Sequence, residues 1–236
     1  MIPISLDDTF KFSCSAQVPC FNECCRDLNQ FLTPYDILCL KSYLGMTSGA
    51  FLERYTTRHT GPETGFPVIT LKPGEALKCP FVTESGCRVY DSRPSSCRMY
   101  PLARAVSRSR ETGKITEHFA LIKEPHCRGF EQRTTQTVRQ WIENQKLAEY
   151  NEMNDRLMEI ISLKSHTGPG PLDMKSSYFF HIALYDLDRF RSHIFQKGLL
   201  DDIHLDSAVL EAVKNDDVEL LKLGHRWIKK ILFKDI

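Results

Sequence analysis

All nine cysteines of this 236-residue chain fall between Cys14 and Cys127, and residues 128–236 contain none. That asymmetry limits the fold more than any other feature, because a cysteine-dense segment is organised by what its thiols bind. The N-terminal run MIPISLDDTFKF has no basic segment leading into an apolar stretch, so it does not read as a secretory signal. No stretch approaches a membrane span. The cytoplasm is therefore the expected location. In that reducing compartment thiols stay free, bind metal or do redox chemistry, and do not form structural disulfides. The formal net charge of +1 argues against a nucleic-acid binder acting by bulk attraction. With 42% hydrophobic and 26% charged residues, the chain can build an ordinary core.

The expected organisation is α+β in two parts: a small mixed cysteine domain over residues 1–133, then a mainly helical region over residues 134–236 with a Gly/Pro break at 166–171. Thr33-Pro34 reads as a cap with proline at the first helical position, opening a helix that stops near Gly45. Ser48 to Tyr55 fits a second helix. Phe66 to Leu71 reads as a strand, and Leu102–Ser107 with Ile115–Ile122 reads as a hairpin joined through Glu111-Thr-Gly113-Lys. Beyond it, one helix is expected from about Thr135 to Lys164, with further amphipathic segments at Tyr178–Phe195 and Ser207–Phe233.

The cysteines run Cys14-x5-Cys20-x3-Cys24-Cys25, then Cys39, then Cys79-x7-Cys87-x9-Cys97, then Cys127. Cys39 sits among Ile37, Leu38 and Leu40 of the first helix, where a thiol acts as a small apolar residue. Eight candidates remain as metal ligands. Zinc and iron–sulfur centres both take four thiolates, so eight fill two such sites or one polynuclear site with thiols to spare. Adjacent Cys24 and Cys25 project in different directions and suit different metals. Cys20 and Cys24, if helical, share a face one turn apart. Structural zinc sites usually pair ligands two to four residues apart, a spacing found here only between Cys20 and Cys24. The long gaps, and the prolines of Pro19-Cys20 and Cys79-Pro80, favour an iron–sulfur cluster of the 4Fe-4S type, with zinc the alternative.

Four of these cysteines are followed directly by arginine, giving Arg26, Arg88, Arg98 and Arg128. Cations held beside an all-thiolate centre offset its negative charge and tune any potential, so these four are the candidate cofactor-binding side chains. Arg93-Pro94 shapes the turn that presents Cys97. Tyr90 and Tyr100 are expected to shelter the site, and His126 lies beside Cys127. His118 sits on a strand pattern. Arg104, Arg108 and Arg110 read as a solvated hairpin edge. No catalytic residue is assigned.

The tract FSCSAQVPCFNECCRDLNQFLTPYDI, with CPFVTESGCRVYDSRPSSCRMYP downstream, resembles the YkgJ family of cysteine-cluster proteins, described as zinc- or iron-chelating, over about residues 12–127. The resemblance implies metal chelation by Cys20, Cys24, Cys25, Cys79, Cys87 and Cys97, with Cys14 and Cys127 as additions. The family opens with C-x2-C-G-x-C-C, and this chain with C-x5-C-x3-C-C, a departure that falls on Cys14. Flagellin lysine N-methylases look like distant relatives through the same kind of cluster, which implies cluster-dependent methyl transfer. The C-x3-C-x2-C loop of radical S-adenosylmethionine enzymes is absent, because Asp27 stands at its third position. The functional expectation is thus an iron–sulfur oxidoreductase or cluster-dependent transferase that meets a protein or redox partner, without nucleic acid or membrane. A zinc-stabilised interaction module is the alternative.

Overall fold

The computed structural model describes residues 1–26, 29–109, 112, 114–166, 170–200 and 205–233. In chain order it begins with β1 (Ile2–Ile4), β2 (Thr9–Lys11), β3 (Phe31–Leu32), α1 (Pro34–Tyr43), α2 (Ser48–Tyr55), β4 (Thr56–Thr60) and β5 (Pro67–Leu71). Next come β6 (Val82–Thr83), β7 (Gly86–Cys87), α3 (Ser95–Met99), β8 (Leu102–Arg108), β9 (Ile115–Leu121) and β10 (Thr135–Thr137). Helices α4 (Val138–Asn144), α5 (Ala148–His166), α6 (Met174–Leu184), α7 (Leu187–Lys197), α8 (Ser207–Asn215) and α9 (Asp217–Leu232) follow. The fold is α+β with a helical C-terminal region, as the sequence pattern indicates. Among the described residues no helix is long and apolar enough to cross a membrane.

The chain forms two compact units, Met1–Gln30 with Pro73–Asn151, and Phe31–Lys72 with Glu152–Ile236. Residues 31–72 therefore pack with the C-terminal helices, while 134–151 pack with the cysteine-bearing segments.

In the first unit β1, β9 and β8 form an antiparallel sheet in that order, and β2 pairs with β10. The expected hairpin is present as β8 and β9; its turn residues 110, 111 and 113 lie outside the described ones. Phe12 is the hub of this unit, meeting Tyr100, Phe130 and Trp141 edge-on at centroid distances of 5.9, 5.2 and 5.5 Å. Such edge contacts add to the apolar burial of the rings themselves. A β-bridge between Arg26 and Lys78, and the Cys79 N–H on the Cys25 carbonyl at 2.8 Å, tie the two cysteine-bearing stretches together.

The second unit has an antiparallel sheet in the order β3, β5, β4 and a helical core. Helix α1 starts as its sequence dictates. Thr33 Oγ1 accepts from the Asp36 N–H at 3.3 Å, Asp36 accepts from the Thr33 N–H at 2.9 Å, and Pro34 needs no partner at the first turn. Phe66 stacks on Phe180 at 4.6 Å, and Trp227 meets Phe179 and Phe190 at 5.1 and 5.4 Å. Gly224 lets α9 lie directly on α6, since a Cβ there would fall 2.2 Å from the Ala183 carbonyl oxygen.

Three expected helices divide. The run from Thr135 opens as a strand, continues as α4, and breaks at Lys146, whose φ of 53° is left-handed. Asp186, just after the end of α6, and Asp216, at the end of α8, each cap the next helix, Asp186 accepting from Arg189 N–H and Asp216 from Val218 and Glu219 N–H. Apolar periodicity runs straight through such junctions, because the cap turns the backbone without changing the hydrophobic pattern. Of the Gly/Pro break, residues 167–169 lie outside the described ones.

Candidate metal centre

Eight of the nine cysteines lie in the first unit, on short segments that offer little regular structure of their own. Cys14 follows β2, where Phe12 and Ser13 N–H groups bond the Thr134 and Gly129 carbonyls at 3.0 and 3.1 Å and so align it with the Cys127 turn. Cys20 sits in a turn, not a helix, so it does not share a helical face with Cys24. Asn22, at a φ of 70°, leads into a single 3-10 turn, Glu23–Cys25, that carries the double cysteine. Cys79 follows the Arg26–Lys78 bridge, Cys87 ends the β6–β7 hairpin opposite Val82, and Cys97 rides on α3. Cys39 belongs to the second unit, in α1.

The thiols act on one another. Partial desolvation first, then the charges of Cys24, Cys20 and Cys127, push Cys14 up to about 11, although the residue as a whole keeps exposed surface. The Cys25 thiol donates to the Cys24 sulfur, which brings Cys24 down to about 7. That same bond raises Cys25, followed by burial and by the charges of Cys24, Cys79 and Cys97. Burial also raises Cys79 and Cys87. Two neighbourhoods are thus linked at the double cysteine. One holds Cys14, Cys20, Cys24 and Cys127; the other holds Cys25, Cys79, Cys87 and Cys97, and Cys24 belongs to it as well, since its charge raises both Cys79 and Cys87.

Backbone N–H groups are aimed at several sulfurs. The Phe81 and Val82 N–H groups bond Cys79 and the Val89 N–H bonds Cys87, each lowering the thiol against burial. The Arg128 N–H donates to Cys20 Sγ at 3.1 Å. Such donors favour the anionic sulfur, the form that ligates metal. The Cys97 thiol lies 3.5 Å from Gln30 Oε1, and Gln30 is itself fixed by its Nε2 on Ser96 Oγ at 2.5 Å.

The arginines that follow cysteines are placed differently from one another. Arg26 pairs with Glu23 at 3.3 Å and Arg128 with Glu131 at 2.7 Å, both at the surface. Arg88 lies over the Phe81 ring at 5.7 Å, close enough to Cys87 for its charge to lower that thiol. Arg98 is buried, donating to the carbonyls of Arg93 (3.1 Å), Gln145 (3.0 Å) and Asp91, with its guanidinium over the Tyr150 ring at 4.8 Å. It therefore braces the turn before Cys97 and the α4–α5 junction. Tyr90 is exposed and stacks under Arg93. The Tyr100 hydroxyl is buried, and burial, then its interaction with the Cys127 thiol and the Glu124 carboxylate, holds its proton well above the ordinary phenol range.

Away from the thiols, His126 is 3.6 Å from the Glu124 carboxylate, His118 meets Ser107 at 3.1 Å and Arg104 pairs with Glu117 at 2.7 Å. The residues that sequence reasoning passed over are Gln30, for which no motif exists, and Arg93, read only as a turn former.

A family model, CxxCxxCC, described as "Putative zinc- or iron-chelating domain", matches residues 13–155. The chain belongs to this family. No curated protein and no solved structure gives a significant match. The matched segment of this CxxCxxCC protein takes in all eight cysteines of the first unit. Soft thiol donors with N–H groups directed at them fit a zinc or iron centre chemically. Among the described residues no three Cys, His, Asp or Glu side chains are gathered closely enough to hold one ion.

Proposed function

We propose that the eight cysteines hold an iron–sulfur centre and that the protein uses it in redox chemistry or a cluster-dependent transfer, exchanging electrons with a protein or redox partner. The observation that carries this reading is the donor set: eight mutually interacting thiols, with backbone N–H groups on Cys20, Cys79 and Cys87. N–H···S bonds stabilise charge on sulfur and tune the potential of an iron–sulfur centre. When bound, such a centre would supply one-electron transfer. The chain itself would hold the ligands, keep the Cys25 and Cys79 stretches side by side through their backbone bond, and shelter Cys127 behind Tyr100.

A zinc-stabilised module is the second reading, favoured by how much of the cysteine scaffold consists of loops and single 3-10 turns, which a structural ion can order. Anaerobic purification with metal and sulfide analysis and electron paramagnetic resonance separates the two. The iron reading expects coloured protein containing iron and acid-labile sulfide, with a signal on reduction. Colourless protein carrying zinc would overturn it in favour of the second.

A further inference from the structure

We propose that Arg93 is a positioning residue for this centre, supplying the buried positive charge against which the thiolates are assembled. The inference rests on the metal reading above and holds for either metal.

Arg93 keeps only 9% of its surface. Its guanidinium donates to the Tyr90 carbonyl at 2.6 Å and to Gln145 Oε1, and lies 3.8 Å over the Tyr90 ring. Every one of these partners is neutral. Arg98, 6% exposed, is held in the same way by carbonyls and the Tyr150 face. Two cations are therefore buried within reach of each other's charge, and among the described residues neither forms an ion pair with a carboxylate. Burying a cation without a counter-charge is expensive, and neutral hydrogen bonds recover only part of the loss.

The missing counter-charge is at hand. Arg93 acts electrostatically on Cys14 and Cys87 and is acted on by Cys87 and Cys97, thiols from three separate stretches of chain. These thiols belong to both neighbourhoods of the centre. Once deprotonated on metal, they would leave a net negative cluster facing a cation that Gln145 and Tyr90 already hold in place. Arginine suits the position because its rigid fork keeps the charge oriented while remaining protonated in a desolvated site.

Full-length protein is tested by anaerobic competition for Zn²⁺ against a chromogenic chelator, with circular dichroism as the check on folding. Arg93→Gln is expected to weaken Zn²⁺ binding at least tenfold, a size typical for a supporting group around a metal site. Arg93→Lys should recover most of that loss. Gln145→Glu keeps Arg93 and its hydrogen bond but cancels the charge, so it should also weaken binding several-fold; a merely structural Arg93 would be held more firmly by it and leave affinity unchanged. Should Arg93→Gln fail to fold, the Lys and Gln145→Glu variants decide. Folded Arg93→Gln within twofold of wild type, Lys no better than Gln, or Gln145→Glu equal to wild type would each overturn the role of Arg93. Wild-type protein that takes up neither Zn²⁺ nor iron would instead overturn the metal reading, and this inference with it.

Discussion

The two units solve the same problem by opposite means. The second buries Phe51, Phe180, Phe190, Leu184 and Leu220 between helices whose caps are written into the sequence, and its order comes from apolar area removed from water. The first has one aromatic hub around Phe12, strands of two or three residues beside one longer hairpin, and eight thiols on loops and single turns. Stability in the second is stored in packing, whereas in the first a bound metal is expected to add to a smaller set of apolar contacts.

Metal removal should break that comparison most sharply. A chelator is expected to abolish slow hydrogen exchange across residues 14–26 and 79–127 while leaving α6 and α9 protected, because the energy of metal binding is folding energy for ligands that only folding brings together. Protection that survives equally in both units would show that the first folds on its own apolar contacts.

Acid should reach the second unit too, by a route that needs no metal. His225 is 2% exposed with its Nδ1 on the Leu221 carbonyl, and burial brings it down to about 4; burial, then Arg58 and Arg189, does the same for His181. Both stay neutral when folded and protonate more readily when unfolded, so their contribution is full above the ordinary histidine value of about 6.5 and is lost as pH falls from there towards about 4. The loss is on the order of 3 kcal/mol for each histidine, read as a wild-type melting temperature that falls with acid more steeply than that of His225→Gln. A wild-type melting temperature flat between these pH values would reject it.

The smallest effect is expected from Cys39, which lies on α1 in the packed unit. Cys39→Ala should keep the full metal content, whereas Cys24→Ala or Cys97→Ala should lose much of it. Equal loss in all three would erase the division of labour between the units.

Where local chemistry decides structure, the sequence was readable. Thr33-Pro34 with Asp36 at the third helical position gave α1, and the apolar runs after Pro101 and Ile115 gave the hairpin. Pairings between distant stretches were not legible. β1 meets β9 and β2 meets β10 across more than a hundred residues, and nothing in three-residue strands advertises a partner that far away. At the site, the cysteines and the Cys-Arg repeats were visible as residues, but not where each guanidinium goes. Adjacency in sequence sends Arg26 and Arg128 to surface carboxylates, whereas Arg93, four residues before Cys97, is turned inward by the proline that follows it and by its neutral partners.

The interleaving of the units also sets an order of manufacture. Every segment of the cysteine unit has left the ribosome once residue 151 emerges, while the helical unit must wait for α6 to α9. Residues 31–72 are made early and finished late. Domains fold as their segments appear during synthesis, so the thiols can be charged with metal on the nascent chain, with residues 31–72 held as a closed loop between Gln30 and Pro73. A shortage of metal during translation would then leave that loop untethered, and the damage would reach the helical unit as well.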